Sequence, residues 1–322
     1  MASKSKVPET MQALRLHPDS TLHYEAAPVP SVSSTQILVR VSATAITRSE
    51  LSWAETLSRP FAIPGHDISG TVILAPPTSK FKTGDEVFGL LAFNRNGAAA
   101  EYTIALEEEL CLKPRNLNHE QAAAIPLSAL TAWQALFELG SLKAGTRILV
   151  TAAAGGVGSI AVQIAKSKGT YVIGSCSAKN IDSMKQLGVD LALDYVDGSF
   201  EAWIQEIRED LNERGVDLVL DCIGGETLRK CLGVVRTGGA VISVAEPVRD
   251  DWAEVKARLN DRVKTEFFVV RPDRSMLGKI KELVEEGALK DVVDRVWDLS
   301  QGNKAFEVLE KGHVRGKFVL RV

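Results

Sequence analysis

The sequence predicts an α/β protein of two domains, a β-barrel-like domain and a doubly wound parallel sheet. The first observation is the length of 322 residues, which suits about two domains of roughly 150 residues each. The second is a β-rich pattern over the first 125 residues, interrupted by proline and glycine. The third is an alternation of apolar strands with helices, which begins near residue 126.

The first domain is predicted from short stretches in which β-branched residues alternate with polar ones. These stretches lie at 36–46, 68–74 and 101–106. Turn-forming sequences such as "IPGHD" and "TGDEV" separate them. Together they predict a compact, irregular β-barrel-like domain over residues 1–125.

The second domain is predicted from strands and helices that follow one another. An alanine-rich helical stretch ends at Gly140. Strands are then predicted at 146–151, 170–176, 191–195, 216–225, 239–245 and 265–270. Helices follow the first three, and such apolar strands are typical of a parallel sheet covered on both faces. This domain spans 126–265, and the tail 266–322 lacks its rhythm, so we expect the tail to return to the first domain.

Composition and charge narrow the class of protein. The net charge is −3, with 45% hydrophobic and 25% charged residues, so nothing favours nucleic acid or an anionic membrane as a partner. No apolar run approaches the roughly 20 residues of a membrane helix, and the N-terminus lacks the apolar core of a secretory signal. Four scattered cysteines are predicted to be free thiols: Cys111, Cys176, Cys222 and Cys231. We therefore expect a soluble, cytoplasmic protein.

The stretch "TAAAGGVGSIAVQIAK" (151–166) is a variant dinucleotide-binding loop. Ala153 stands where the first glycine of G-x-G-x-x-G is usual, followed by Gly155 and Gly158. Gly155 would let the backbone approach a pyrophosphate, and Gly158 would let the helix pack closely on the strand. The residues predicted to contact the cofactor phosphates are Ala154, Gly155, Gly156 and Val157. The alternative is a glycine-rich turn in a purely structural βαβ unit.

The end of the second strand favours NADPH over NADH. An NAD site places an Asp or Glu about 20 residues after the loop, on the ribose 2′-OH. Here the segment "GSCSAKN" (174–180) has no carboxylate and offers Ser175, Ser177 and Lys179. Hydroxyls and a cation suit a 2′-phosphate. The alternative for Lys179 is an exposed lysine at the start of a helix.

Several stretches together resemble a known family. They are "PGHDISGTV", "KTGDEVFG", "AAAIPLSALTAWQAL", "AAAGGVGSIAVQIAK" and "GKFVLRV". They are similar to the medium-chain dehydrogenase/reductase superfamily, and within it to the zinc-independent quinone oxidoreductase-like branch. The resemblance implies a GroES-like catalytic domain over 1–125 and 266–322, a Rossmann domain over 126–265, and a cleft between them.

The resemblance also bears on zinc. Zinc members of the superfamily bind a catalytic metal through Cys, His and Cys. His66 matches the histidine, but the cysteine positions match Thr47 and Leu127. The four-cysteine structural lobe is also missing from the sequence, so we expect no metal. His66 is then either a histidine bonded to a partner near the cleft or a catalytic group.

Without a metal, hydride transfer to a conjugated system is the less demanding reaction. The charge spreads onto a carbonyl oxygen, which a few hydrogen-bond donors can stabilise. The resemblance implies a quinone, an enone or an enoyl thioester as substrate. The candidate catalytic residues lie in "AITRSELSW" (45–53) and are Thr47, Arg48, Ser49 and Trp53. The alternatives are a solvated or ion-paired Arg48 and a core aromatic at Trp53.

Other cofactor contacts are implied by the resemblance alone. Around the nicotinamide these are Thr131, Val244, Phe268 and Val269. Lys317 matches a position near the cofactor, and Tyr195 one near the adenosine phosphate or ribose. Asp67 and Asp221 are expected to be structural, bonding backbone groups at strand ends.

The sequence predicts an NADPH-dependent reductase of quinones or α,β-unsaturated carbonyls and leaves three alternatives. One is a metal-free NADP(H) carbonyl or alcohol oxidoreductase, and another is a non-catalytic NADPH-binding protein. The third is a biosynthetic reductase that acts on one natural product. The resemblance also implies a homodimer, with the strand at 265–270 as the candidate for pairing across a two-fold axis.

Overall fold

The structure is a computed structural model that describes residues 7–195, 200–211, 215–249, 252 and 262–322. The chain divides into two compact units. The first comprises residues 1–127, 271–285 and 291–322, and the second comprises 128–270 and 286–290. The end of the predicted helix "FEAWIQEIREDLNERG" lies partly outside the described residues.

The described residues form strands and helices in the following order. The strands are β1 (Thr10–Leu16), β2 (Leu22–Pro28), β3 (Ile37–Ile46), β4 (Asp67–Leu74), β5 (Glu86–Leu90), β6 (Tyr102–Ala105), β7 (Leu110–Leu112), β8 (Arg147–Val150), β9 (Tyr171–Cys176), β10 (Leu191–Asp194), β11 (Val216–Asp221), β12 (Val235–Ser243), β13 (Lys264–Phe267), β14 (Val293–Asp298) and β15 (Lys317–Arg321). The helices are α1 (Ala54–Leu57), α2 (His119–Ala123), α3 (Pro126–Trp133), α4 (Gly156–Ser167), α5 (Ile181–Leu187), α6 (Phe200–Asp210), α7 (Gly225–Cys231), α8 (Arg274–Glu285) and α9 (Gly302–Glu310).

The first unit is built on a seven-stranded sheet and a two-stranded hairpin. The sheet order is β14-β15-β3-β4-β5-β7, with β6 pairing with β3, and β1 pairs with β2. Strand β15 runs antiparallel to β3, and Phe318 lies opposite Ile46. The C-terminal tail therefore returns to the sheet of the first unit.

The second unit is built on a six-stranded parallel sheet in the order β10-β9-β8-β11-β12-β13. Counted along the unit, this is the order 3-2-1-4-5-6 of the Rossmann fold. The direction of strand addition reverses between β8 and β11, and this is the crevice where such sheets bind dinucleotides. The predicted doubly wound parallel sheet is thus confirmed.

Helix α4 follows β8 and packs through a fully apolar face. Ile160, Ala161, Ile164 and Ala165 are completely buried, and their spacing is the i, i+1, i+4, i+5 pattern that puts side chains on one helix face. Burying this face stabilises the helix, because an isolated helix of this length would be marginal in water. The packing therefore holds the start of α4 at the end of β8.

The alanine-rich stretch before β8, predicted to be helical up to Gly140, is helical but not one continuous α-helix. It divides into α2, α3 and a π-helical turn at Gln134–Leu139, capped by Gly140. Pro126 opens α3, where its missing N–H is of no consequence. The whole segment His119–Leu139 is long and apolar enough by composition to cross a membrane, which corrects the expectation of no such run. However, 78% of its most apolar window is buried, as in the core helix of a globular protein.

Candidate active site

The glycine loop leaves β8 through a left-handed residue. Ala152 has φ of 49°, and its N–H donates to Ser175 Oγ at 3.2 Å. The next residue, Ala153, donates its N–H to the Ser175 carbonyl at 2.8 Å and has no positive φ. A Cβ at Gly158 would overlap the Ala152 carbonyl oxygen, so the loop needs a glycine there for the helix to pack. The strained turn thus lies at Ala152, one residue before the position usually occupied by glycine.

The first turn of α4 has backbone N–H groups that no described side chain caps. Gly155 is the N-cap, and no side chain caps the helix. The first N–H groups of an α-helix have no intrahelical partner and carry a positive partial charge. Gly155, Gly156 and Val157 are partly exposed, whereas Ala154 is buried. The predicted phosphate-contact residues therefore lie at the start of α4, with three of the four accessible.

The end of β9 holds the three residues predicted to contact a 2′-phosphate. Ser175 is fully buried, and its hydroxyl serves the glycine loop. Ser177 is partly exposed and accepts a hydrogen bond from Asn180 Nδ2 at 3.2 Å. Lys179 is exposed. This end of β9 thus offers Ser177 and Lys179 to a ligand, and Ser175 acts as a support of the loop.

Strand β10 ends beside the same point. Asp194 is the register partner of Cys176, and it is the carboxylate that stands nearest in register to the end of β9. Tyr195 follows, is half-exposed, and donates its N–H to the Cys176 carbonyl at 3.2 Å. Tyr195 is therefore placed at the same sheet edge as Ser177 and Lys179.

Asp221 ties the ends of three neighbouring strands together. Its Oδ1 accepts from Thr151 Oγ1 at 3.0 Å, and its Oδ2 accepts from Ser243 Oγ at 2.9 Å. It also accepts the Gly224 N–H at 3.0 Å and is fully buried. The expected structural role, bonding backbone groups at a strand end, is confirmed for this carboxylate.

The remaining residues predicted around the nicotinamide occupy different settings in the second unit. Thr131 is buried on α3, and Val244 donates its N–H to the Asp221 carbonyl at 2.9 Å. Phe268 donates its N–H to the Ser243 carbonyl at 3.3 Å, and Val269 is largely exposed. Val244 and Phe268 are thus fixed at the ends of β12 and β13.

In the first unit, a buried carboxylate organises the loop after β3. Glu50 accepts from Thr47 N at 3.0 Å, Gly65 N at 2.7 Å and His66 Nδ1 at 2.9 Å. Glu50 and His66 are each only 1% exposed. Sequence reasoning missed Glu50. The available signal was a carboxylate three residues after Thr47, a spacing that allows it to accept the N–H of that residue.

His66 lies against two aromatic rings. The ring of Phe93 is 5.0 Å from that of His66 and 5.2 Å from that of Trp53, and the rings of Trp53 and His66 are 6.2 Å apart. The Nε2 atom of His66 is buried and has no hydrogen-bond partner among the described residues. Trp53 thus lies near His66 in one aromatic cluster, and its predicted contact with substrate stays a prediction. Phe93 has no sequence signal beyond its apolar character.

A buried ammonium completes this part of the first unit. Lys317 Nζ donates to Thr47 Oγ1 at 2.9 Å and lies 3.1 Å from Asp67 Oδ2. The other oxygen of Asp67 accepts the Leu127 N–H at 2.6 Å, which confirms its expected backbone bond. Burial raises the pKa of Asp67, and the Lys317 ammonium opposes that shift. The structure therefore brings Thr47 and Lys317 together.

Two of the four predicted catalytic residues lie on the surface of this unit. Arg48 and Ser49 are exposed, and Ser49 donates its N–H to Glu310 Oε1 at 2.6 Å. Thr47 and Trp53 point into the unit, and Arg48 and Ser49 do not share their surroundings. The difference arises because Ser49 adopts a left-handed φ of 63°, which turns the chain before the buried Glu50.

Comparison with known proteins adds a family context. The family described as "Alcohol dehydrogenase GroES-like domain" matches residues 33–115, and "Zinc-binding dehydrogenase" matches 187–320. The chain is 40% identical to "Probable zinc-binding oxidoreductase, mitochondrial" of Arthroderma benhamiae, and the match covers 100% of both chains. It is 30% identical to "Chloroplast envelope quinone oxidoreductase homolog" of Arabidopsis thaliana, with 93% of each covered.

A solved structure shows the same fold. The quinone oxidoreductase from Coxiella burnetii superimposes with a TM-score of 0.87 at 29% identity, covering 97% of this chain and 99% of that one. With the GroES-like match, this confirms the predicted fold of a GroES-like domain and a Rossmann sheet.

The expectation of a cytoplasmic location is wrong. The relatives above are named as mitochondrial or as belonging to the chloroplast envelope. The expectation rested on the missing apolar core of a secretory signal, and organellar transit peptides also lack that core. The absence of an apolar core therefore does not indicate the cytoplasm.

Proposed function

Because the chain belongs to the medium-chain dehydrogenase/reductase superfamily, in its quinone oxidoreductase-like branch, we propose that this oxidoreductase is a zinc-independent, NADPH-dependent reductase. Its proposed substrates are quinones or α,β-unsaturated carbonyl compounds. The observation that carries the proposal is the hydrogen bond between Lys317 Nζ and Thr47 Oγ1.

The residues at the metal position of the superfamily do not fit zinc. Thr47 and Leu127 stand where the thiolates would be, and Leu127 has no ligand atom in its side chain. The buried Lys317 ammonium donates to Thr47, so a divalent cation there would meet a positive charge. His66 alone cannot hold a catalytic zinc ion. Among the described residues, no three His, Cys, Asp or Glu side chains gather into a metal site.

The second unit fits a nicotinamide dinucleotide. The uncapped start of α4 supplies the backbone N–H groups that bind a pyrophosphate, and the sheet reverses its order at the adjacent strand. When bound, the nicotinamide supplies a hydride to the substrate. The α4 N–H groups bind and orient the phosphates, and Asp221 fixes the strand ends beside them.

The end of β9 supports NADPH as the cofactor. Lys179 is exposed and has no ion pair with any described residue, and Ser177 offers a partly exposed hydroxyl beside it. A cation and a hydroxyl bind a phosphate through charge-assisted hydrogen bonds. The carboxylate of Asp194 on the neighbouring strand would repel the negative charge of a 2′-phosphate. The proposed preference for NADPH therefore rests on the positive charge of Lys179.

Thr47 is the proposed donor to the oxygen on which negative charge develops. Lys317 donates to Thr47 Oγ1, so the hydrogen of that hydroxyl is free to point to another acceptor. The same ammonium draws electron density from the hydroxyl and makes it a better donor. Preorganised donors of this kind stabilise an enolate without a metal.

A homodimer is part of the proposal. Strand β13 is an edge of the six-stranded sheet, and its end exposes Phe267 and, beyond it, Val269. An edge strand with apolar ends is a site at which a second copy can pair across a two-fold axis. Sedimentation equilibrium of the full chain gives the mass of the protein in solution and so distinguishes a dimer from a monomer.

The test uses the full-length protein and follows NADPH oxidation. Three substrates are compared, a quinone, an enone and a saturated ketone, each with and without a chelator, and zinc content is measured by mass spectrometry. We expect turnover of the quinone or the enone, no effect of chelator and no stoichiometric zinc. Turnover of the saturated ketone alone would indicate a carbonyl oxidoreductase. NADPH binding without any turnover would indicate a non-catalytic protein, and loss of activity with chelator would refute zinc independence.

A further inference from the structure

The guanidinium of Arg59 is anchored at one corner and unpaired along one edge. Arg59 Nη1 donates to the Phe93 carbonyl at 3.0 Å. Its Nε and Nη2 atoms are buried and have no hydrogen-bond partner among the described residues. Burial lowers the pKa of Arg59, and Glu55 partly offsets this, yet a guanidinium remains charged in proteins. An unpaired buried donor is costly, and more so on a charged group.

The unpaired edge is the one that binds carboxylates. The Nε and Nη2 hydrogens of arginine point the same way and form a planar fork that matches the two oxygens of a carboxylate. Arg147 of this chain uses the same edge on Asp217, with Nε–Oδ2 at 2.9 Å and Nη2–Oδ1 at 2.8 Å. Glu55 forms no ion pair with Arg59 within the described residues. The same fork on Arg59 is therefore buried without a partner among the described residues.

A second buried donor stands one helical turn earlier. Thr56, on α1, is 1% exposed, and its Oγ1 has no hydrogen-bond partner among the described residues. The Arg59 N–H donates to the Thr56 carbonyl at 3.3 Å, so the two residues belong to the same turn of the chain at the end of α1. Two adjacent side chains with unpaired buried donors are unusual, since most buried polar groups in proteins are hydrogen-bonded.

Arg59 is anchored next to the aromatic rings of the candidate site. Phe93, whose carbonyl anchors Arg59, packs its ring against His66 and Trp53. The segment that carries Trp53, Thr56 and Arg59 lies between two non-glycine residues in left-handed conformations, Ser49 at φ 63° and Phe61 at φ 57°. Strained backbone of this kind clusters at ligand-binding segments.

From these observations we infer that Arg59 determines substrate specificity by binding a carboxylate on the substrate through its Nε–Nη2 edge. The substrate class is then an α,β-unsaturated carbonyl compound that also carries a carboxylate. This inference rests on the proposed reductase function and names the substrate class of that same site. A phosphate of the cofactor also offers oxygen acceptors to this edge of Arg59. The experiment must therefore distinguish a substrate carboxylate from a cofactor phosphate.

The experiment compares β-acetylacrylate, an enone with a carboxylate, with its methyl ester. The full-length enzyme is tested as wild type, Arg59→Gln, Arg59→Lys and the control Arg40→Gln, which removes an exposed arginine from β3. We expect Arg59→Gln to lower kcat/KM for the acid roughly 10- to 100-fold, the size of a lost charge-assisted bond, and to leave the ester unchanged. The ratio of kcat/KM for the acid to kcat/KM for the ester is then compared between variants, so that the different intrinsic reactivity of the two compounds cancels. Arg59→Lys should recover part of the wild-type ratio, since it keeps the charge and loses the fork.

A binding measurement gives a readout that does not depend on turnover. Levulinate, the saturated analogue, is titrated by calorimetry, with methyl levulinate as the neutral control and a thermal melt to check folding. We expect levulinate to bind the wild type and Arg40→Gln but not Arg59→Gln.

An unchanged acid-to-ester ratio in Arg59→Gln would overturn the inference while the reductase function stands. An equal loss for both compounds, with weaker NADPH binding, would overturn it in favour of a cofactor phosphate. If neither compound is reduced, the proposed function fails, and the levulinate titration still decides the role of Arg59.

Discussion

Ala153 and Gly174 are complementary positions across the start of the nucleotide-binding loop. A Cβ at position 174 would lie 2.9 Å from the Cβ of Ala153 and 3.0 Å from a methyl carbon of Val189. Ala153 is completely buried, so its methyl group fills space that Gly174 on β9 leaves open. The glycine missing from the loop is thus matched by a glycine on the neighbouring strand.

The pair predicts a coupled effect on stability. Gly174→Ala should lower the free energy of unfolding by about 1–3 kcal/mol, the usual cost of overpacking a core. Ala153→Gly in the same chain should recover much of that loss, because it removes the methyl group that the new side chain meets. Urea denaturation of the two single variants and the double variant measures the coupling. Strictly additive effects would show that the two positions do not share space.

Lys179 predicts which cofactor the enzyme prefers. Lys179→Glu should weaken NADPH binding roughly 10-fold or more, because it loses a charge-assisted bond and adds a repulsive charge. NADH has no 2′-phosphate, so its affinity should change little. Fluorescence titration with each cofactor measures both values.

The matched control for Lys179 is Lys168→Glu, which makes the same charge change on an exposed lysine at the other end of α4. It should leave both affinities unchanged. An equal loss for NADPH and NADH in Lys179→Glu would argue against 2′-phosphate recognition by this residue.

The sequence predicted the second unit better than the candidate site of the first. Local periodicity encodes elements such as α4, whose apolar positions recur at helical spacing, and the strand that precedes it. The sequence predicts a helical stretch up to Gly140, but a π-helical turn such as Gln134–Leu139 is rare and has no distinct apolar pattern by which to predict it. The left-handed Ala152 was missed, because alanine rarely adopts that conformation.

The candidate site depends on contacts between distant parts of the chain. Lys317 reaches Thr47 only because β15 pairs with β3, and Glu50 reaches His66 across 16 positions. Neither pairing leaves a local pattern. Ser175 shows how packing in the sheet alters a prediction made from position alone. Its position at the end of β9 predicts ligand contact, whereas in the structure it is buried and its hydroxyl accepts the Ala152 N–H.

Thr47 predicts a loss in the chemical step. Thr47→Val keeps the shape of the side chain and removes the hydroxyl that Lys317 polarises, so kcat should fall roughly 10- to 1,000-fold, as for the loss of an oxyanion donor. The affinity for NADPH, measured by fluorescence, should stay within error. Thr47→Ser keeps the hydroxyl and should retain most of the activity. If Thr47→Ser were as impaired as Thr47→Val, the methyl group rather than the hydroxyl would matter.

His119 predicts a pH-dependent stability. Its Nδ1 hydrogen-bonds with Ser69 Oγ at 2.8 Å, and its Nε2 lies 3.4 Å from Glu86 Oε1. Burial lowers the pKa of His119 below its ordinary value, and the Glu86 carboxylate opposes that shift. The folded protein therefore resists a proton that the unfolded chain accepts at about pH 6.5. The stability that His119 contributes is present above that pH and is lost as the pH falls through the lower folded pKa, at no more than about 1.4 kcal/mol per pH unit.

Urea denaturation between about pH 8 and pH 5, which brackets the ordinary histidine pKa, measures the effect of His119 on stability. The stability difference between the wild type and His119→Gln should shrink as the pH falls, because only the wild type carries the imidazole that resists protonation. In Glu86→Gln, the charge that favours protonation of His119 is gone, so stability should fall more steeply with decreasing pH than in the wild type. A difference between wild type and His119→Gln that grows toward acid pH would mean that Glu86 outweighs burial and that the folded state holds His119 as the cation.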